Sequence, residues 1–105
     1  MNISIKIDPE TLFLLHKVVL EETQMRANDR AMRVEKSMRM ELFAMISKRC
    51  ITYSNNQNGK KMSINFKYYQ ADLVCKILDD LQFSFGVYEA NKLDMLRNQL
   101  HQKLV

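Results

Sequence analysis

Apolar and polar residues alternate one for one at the start of the chain, where Ile3, Ile5 and Ile7 are separated by Ser4 and Lys6. That period of two predicts a strand with one buried face. Asp8-Pro9-Glu10 then reads as a helix start. Aspartate can accept exposed backbone N–H groups, proline suits the first helical position, and glutamate sits at the positive end of the helix dipole. From there the apolar period lengthens. Leu12, Leu15, Val18, Val19 and Glu22 share one side of a helix from Pro9 to about Thr23. Phe13, Leu14 and Leu20 widen its apolar surface, so burial on more than one side is expected.

A second helix is predicted from about Asp29 to Cys50, with Ala31, Val34, Met38, Leu42 and Met45 at steps of three and four. Met32, Phe43 and Ile46 give it a second apolar edge. The polar stretch from Ser54 to Lys61 holds an Asn-Gly turn pair and reads as a linker. Beyond it Met62, Ile64 and Phe66 alternate with Ser63, Asn65 and Lys67 as a second strand. A third helix turns Ala71, Val74, Ile77, Leu78 and Leu81 inward. Ser84 to Gly86 punctuates the chain, and a fourth helix from about Val87 to Lys103 carries Ala90, Leu93, Leu96, Leu100 and Leu104 as its stripe.

The fold class is therefore α+β and mostly helical, ordered β-α-α-β-α-α, within a single domain over residues 1–105. Residues 3–20 can be laid on 62–79 without a gap. Ile3, Ser4, Ile5 and Ile7 then meet Met62, Ser63, Ile64 and Phe66, while Leu12, Leu14, Leu15, Lys17, Val18 and Val19 meet Ala71, Leu73, Val74, Lys76, Ile77 and Leu78. Any two strand-then-helix units share such a pattern. The sharper reading is an internal duplication, with halves 1–53 and 62–105 joined by the linker 54–61 and the strands paired as an antiparallel ribbon about a pseudo-two-fold axis. A lone two-stranded ribbon is marginal in water, so its Ile, Met and Phe face has to be covered, and four amphipathic helices would cover it.

Composition narrows the class. The hydrophobic fraction of 47%, with only two Gly and one Pro, excludes a disordered or loop-rich chain. The N-terminus lacks the basic and continuous apolar regions of a secretory signal, and Leu12 to Leu20, broken by His16 and Lys17, is far shorter than the roughly 20 residues that span a bilayer. Cys50 and Cys75 have no CxxC and no neighbouring histidine. They read as reduced core thiols, and the expected location is cytoplasmic.

Charge adds one asymmetry. Arg26, Arg30, Arg33, Lys36, Arg39, Lys48 and Arg49 are opposed only by Asp29, Glu35 and Glu41, so the span 26–49 carries the entire net charge of +4. On a helical projection Arg26, Arg30 and Arg33 fall within about 60 degrees, at ~100 degrees per residue. Such a stripe can meet phosphates or an acidic partner, and is more often a solvated face.

The run Ile3-Ser-Ile-Lys-Ile-Asp-Pro-Glu-Thr-Leu12 resembles the start of the ribbon-helix-helix DNA-binding proteins. That resemblance implies a ribbon whose outward side chains enter the DNA major groove, here Ser4 and Lys6 from one strand and Ser63, Asn65 and Lys67 from the other, which are residue types that hydrogen-bond base edges and phosphates. The chain departs from the family in its longer first helix, in lacking a Gly-containing turn before the second, and in carrying both halves in one polypeptide.

Nothing points to catalysis, a cofactor or a metal. His16 and His101 have no partners at ligand spacing, Asp79 and Asp80 are adjacent and so diverge on a helix, and no Gly-rich phosphate loop or Ser-His-Asp order occurs. Of the eight methionines, Met25, Met32, Met38, Met40 and Met45 crowd in or just before the second helix; Met38 and Met45 fit a core, and Met32 and Met40 are the expected exposed pair. The expected function is a non-catalytic interaction or assembly module that meets a protein partner or a second copy of itself as a homo-oligomer. The alternative is a nucleic-acid-binding regulator that uses the ribbon or the Arg26, Arg30 and Arg33 face. No membrane partner is expected.

Overall fold

Both alternating segments form strands and pair with each other. The computed structural model describes residues 2–81 and 86–105. Its elements are β1 (Asn2–Ile7), α1 (Pro9–Glu22), α2 (Arg30–Asn55), β2 (Met62–Lys67), α3 (Tyr68–Asp79) and α4 (Val87–Leu104). This is the expected β-α-α-β-α-α order, with one two-stranded antiparallel sheet against four helices. Ser84 of the expected break lies outside the described residues, while Gly86 is the N-cap of α4.

The ladder pairs Ile3 with Phe66, Ile5 with Ile64 and Ile7 with Met62 on its inner face. All but Met62 are buried, and Met62 is half-buried. When residues 3–20 are laid on 62–79, Ile5 falls on Ile64, and these two face each other in the ladder. The register is thus the one a two-fold axis through that pair would produce. The helix starts Pro9 and Tyr68 occupy equivalent positions. So do the buried pairs Leu12 and Ala71, Leu15 and Val74, Val18 and Ile77, and Val19 and Leu78. The second helices break the equivalence, since α2 has 26 residues and α4 has 18.

Several details differ from expectation. Asp8 is the N-cap of α1, but its carboxylate bonds no backbone N–H. The Thr11 hydroxyl and the Lys92 ammonium both donate to it instead, and the ammonium bond is charge-assisted. Asp29 does cap α2, accepting from the Met32 N–H at 2.8 Å. α2 runs on through Ser54 and Asn55, since no residue before Gly59 forbids helix, and the linker shortens to 56–61.

The broad stripes are only partly buried. On α1, Leu12, Leu15, Val18 and Val19 are inside, but Phe13 and Leu20 remain 41% and 40% exposed. On α2, Leu42, Ile46 and Cys50 are buried and Met38, Phe43 and Met45 half-buried, whereas Ala31 and Val34 lie in solvent. The cause is length. At 1.5 Å per residue α2 is about 39 Å long and α1 about 21 Å. Arg39 of α2 already meets Glu22, the last residue of α1, so the first two turns of α2 project beyond its partner. Met40 is exposed as expected, while Met32 is half-buried. On α4, Leu93, Leu96 and Leu100 are buried and Ala90 is exposed.

Candidate nucleic-acid interface

Antiparallel pairing with one face packed on helices leaves the other face of the ribbon open. Because side chains alternate across a strand, the buried set Ile3, Ile5, Ile7, Ile64 and Phe66 forces Asn2, Ser4, Lys6, Ser63, Asn65 and Lys67 outward. All six are exposed. They stand opposite one another as Asn2 and Lys67, Ser4 and Asn65, and Lys6 and Ser63. The five ribbon residues singled out from the sequence, Ser4, Lys6, Ser63, Asn65 and Lys67, therefore share one surface. Asn2 belongs with them and completes the alternation at its start.

Two clefts flank this surface. One, of about 420 Å³, lies between β2 and the C-terminal half of α2 and is lined by Arg49, Thr52, Asn58, Lys60, Lys61 and Asn65 among others. The other, of about 350 Å³, lies between the end of β1 and α4 and is lined by Lys6, Asp8, Lys61, Lys92, Asn98 and Gln99 among others. Each strand is thus bordered by the second helix of the opposite half, and Lys61 lines both clefts.

The electrostatics of the two sides differ. The β2-side cleft has no carboxylate in its lining. On the β1 side Lys92 is held by Asp8, Nζ to Oδ2 2.7 Å, with Glu10 at 4.0 Å. Burial pushes the Asp8 carboxyl up, but the Lys92 and Thr11 hydrogen bonds outweigh it and hold the group below its ordinary value, while the same Asp8 bond raises Lys92. Among the described residues, Lys6, Arg49, Lys60, Lys61 and Lys67 have no carboxylate within 4.0 Å. Five cations thus gather on the ribbon and its β2 edge without neutralisation.

Arg49, Lys60 and Lys61 were not among the residues expected at this surface. Their signal was faint but present: Lys60-Lys61 directly precedes the second strand, and Arg49, Thr52 and Tyr53 lie at helical spacing on one face.

The proposed arginine stripe is not continuous. Arg26 lies in the connection before α2, which starts at Arg30, so only Arg30 and Arg33 share the helix. A shared helical face requires all three residues to be helical, and Arg26 is not. All three are exposed. Arg33 lies about 24 Å along α2 from Arg49 at 1.5 Å per residue, so the stripe and the ribbon are separate surfaces.

The remaining polar candidates have structural partners. His16 shares a hydrogen bond of 2.9 Å with Ser47 and stacks on Phe43 at 4.8 Å. Asp79 binds Arg97 at 3.1 Å and lies 3.7 Å from exposed His101. Cys50 and Cys75 are buried free thiols. Burial raises both, and with the charges of Asp79 and Asp72 it pushes Cys75 up to about 11. Among the described residues no group of three or more His, Cys, Asp or Glu could hold a metal ion, and no helix is long and apolar enough to cross a membrane.

Compared with models of known protein families, with curated proteins and with solved structures, the chain matches none.

Proposed function

We propose that this protein is a non-catalytic module that binds duplex DNA, with the β1–β2 ribbon lying in the major groove. The observation that carries this reading is the open face of Asn2, Ser4, Lys6, Ser63, Asn65 and Lys67, which has cations and neutral hydrogen-bonding groups and no carboxylate. Its dimensions suit the target. Two strands about 4.8 Å apart and six residues, roughly 20 Å, long fit a groove about 12 Å wide. Lysine can donate to guanine O6 and N7, and asparagine can pair with the adenine edge, so Lys6 and Asn65 are the residues that would read sequence.

The test is binding of a mixed-sequence duplex across a range of salt. With Lys6 on the bases, the four remaining cations, Arg49, Lys60, Lys61 and Lys67, give a log-log slope of about −3 to −4 if each neutralises a phosphate. Lys6→Ala with Asn65→Ala weakens binding and alters base preference. Absence of measurable DNA retention at low salt ends this reading.

A second reading is a protein-interaction or assembly module that self-associates as a homo-oligomer. It is favoured by an apolar surface patch between α1 and the start of α4, where Phe13, Leu14 and Tyr88 meet. Sedimentation at micromolar concentration tests it, and strictly monomeric behaviour counts against it. In either role two buried free thiols suit a reducing, cytoplasmic setting.

A further inference from the structure

The cations beside β2 are positioned by a small framework of their own. Tyr53, one helical turn after Arg49, uses its hydroxyl to accept the Gly59 N–H at 3.1 Å, and its ring meets Phe13 of α1 edge-on at 6.1 Å. Gly59 has φ +72°, a left-handed conformation that glycine adopts without strain. Asn58 Oδ1 accepts the Lys60 N–H at 2.9 Å. The loop after α2 is therefore tied back to the helix, and Lys60 and Lys61 are brought to the same cleft as Arg49 and Thr52.

We infer that this cleft between β2 and the C-terminal half of α2 is a phosphate-binding site that holds one sugar-phosphate strand beside the ribbon. The inference rests on the DNA reading and deepens it. The cleft shares Ser63 and Asn65 with the ribbon's open face, so an anion held there lies immediately beside the groups that face the bases. Arg49 supplies a planar fork suited to phosphate oxygens, and Lys60 and Lys61 supply point charges. Thr52 and Asn58 add neutral polar groups. Ordering these groups in advance reduces what binding must spend in conformational entropy.

The matching cleft on the β1 side is weaker. Lys92, its lysine on α4, already binds Asp8 at 2.7 Å. The two edges of the ribbon therefore grip unequally, and the pseudo-two-fold ribbon binds DNA with a dominant phosphate contact on the β2 side.

The experiment compares full-length protein with Arg49→Gln/Lys60→Gln on a mixed-sequence duplex, measuring affinity against salt. A double change of equal charge, Lys36→Gln/Lys103→Gln, lies outside both clefts and serves as the control. The cleft double should lose about tenfold or more in affinity and flatten the salt slope by about 1.8, and the control should change the slope far less. Arg49 is half-buried, so Asn58→Ala/Lys60→Gln, confined to the exposed loop, replaces the first variant if that fails to fold; it removes one charge and should flatten the slope by about 0.9. Equal slope changes for cleft and control variants, with wild-type binding intact, overturn this site and leave the ribbon reading standing. Failure of the wild type to bind duplex DNA overturns both.

Discussion

Arg39 of α2 is buried against Glu22 at the end of α1, with Nε 3.3 Å from Glu22 Oε2. Its Nη1 also lies 3.4 Å from Glu35, whose other oxygen is 3.2 Å from Lys76 of α3. Arg39 thus joins α2 to α1, and Glu35, which shares it, joins α2 to α3. The Arg39 side chain is 9% exposed, Glu22 28% and Glu35 44%, so only the arginine is cut off from water.

That imbalance makes the two partners unequal under mutation. Arg39→Met fills much of the same volume and leaves two carboxylates that water can reach, so it should cost about 1 kcal/mol or less. Glu22→Leu leaves the guanidinium buried with one remaining, half-exposed partner and should cost about 2 kcal/mol. Urea denaturation measures both, and the reverse order would show that the burial difference does not govern the pair.

The Asp8–Lys92 contact ties the start of α1 to α4 and has a defined pH window. Asp8 is held below its ordinary 3.8, so its contribution to stability is complete above that value and is lost as pH falls through the folded-state pKa. Lys92 is held above 10.5, so its part is complete below 10.5 and is lost only as pH rises through the higher folded-state value. Asp8→Asn should therefore melt at a lower temperature than the wild type near pH 7, with the gap closing in acid well below 3.8. A gap of constant size from pH 7 into acid would contradict this assignment.

Phe66 is completely buried on the inner face of β2, and its neighbours Asn65 and Lys67 stand on the open face. Phe66→Ala should cost about 3–5 kcal/mol, a large share of the 5–15 kcal/mol typical of a domain. Leu20→Ala, at a site 40% exposed, should cost about 1 kcal/mol or less. The contrast is measured by chemical denaturation. Comparable losses would mean that the ribbon does not form the floor of the core.

The local patterns were legible because they depend on residues a few positions apart. Alternation at Ile3, Ile5 and Ile7 and at Met62, Ile64 and Phe66 requires only that one strand face be buried, and the steps of three and four in α1 and α3 require only one packed helix face. The ribbon's open face followed from the same alternation. Breadth of an apolar stripe was a poorer guide. Phe13, Leu20 and Val34 look like Leu12 or Leu42 in sequence, yet no neighbouring element covers them fully.

By itself the sequence determined the order of six elements and the two faces of each strand, and laying residues 3–20 on 62–79 placed Ile5 on Ile64, the residue it pairs with. The tertiary structure alone decided that Arg49 would join Lys60 and Lys61 beside β2 and that Asp8 would hold Lys92 instead of a backbone N–H. The physical reason is common to both. Secondary structure is set by short-range sterics and by the period of burial, whereas the partner of a charged side chain is chosen by competition among groups distant in sequence that only packing brings together.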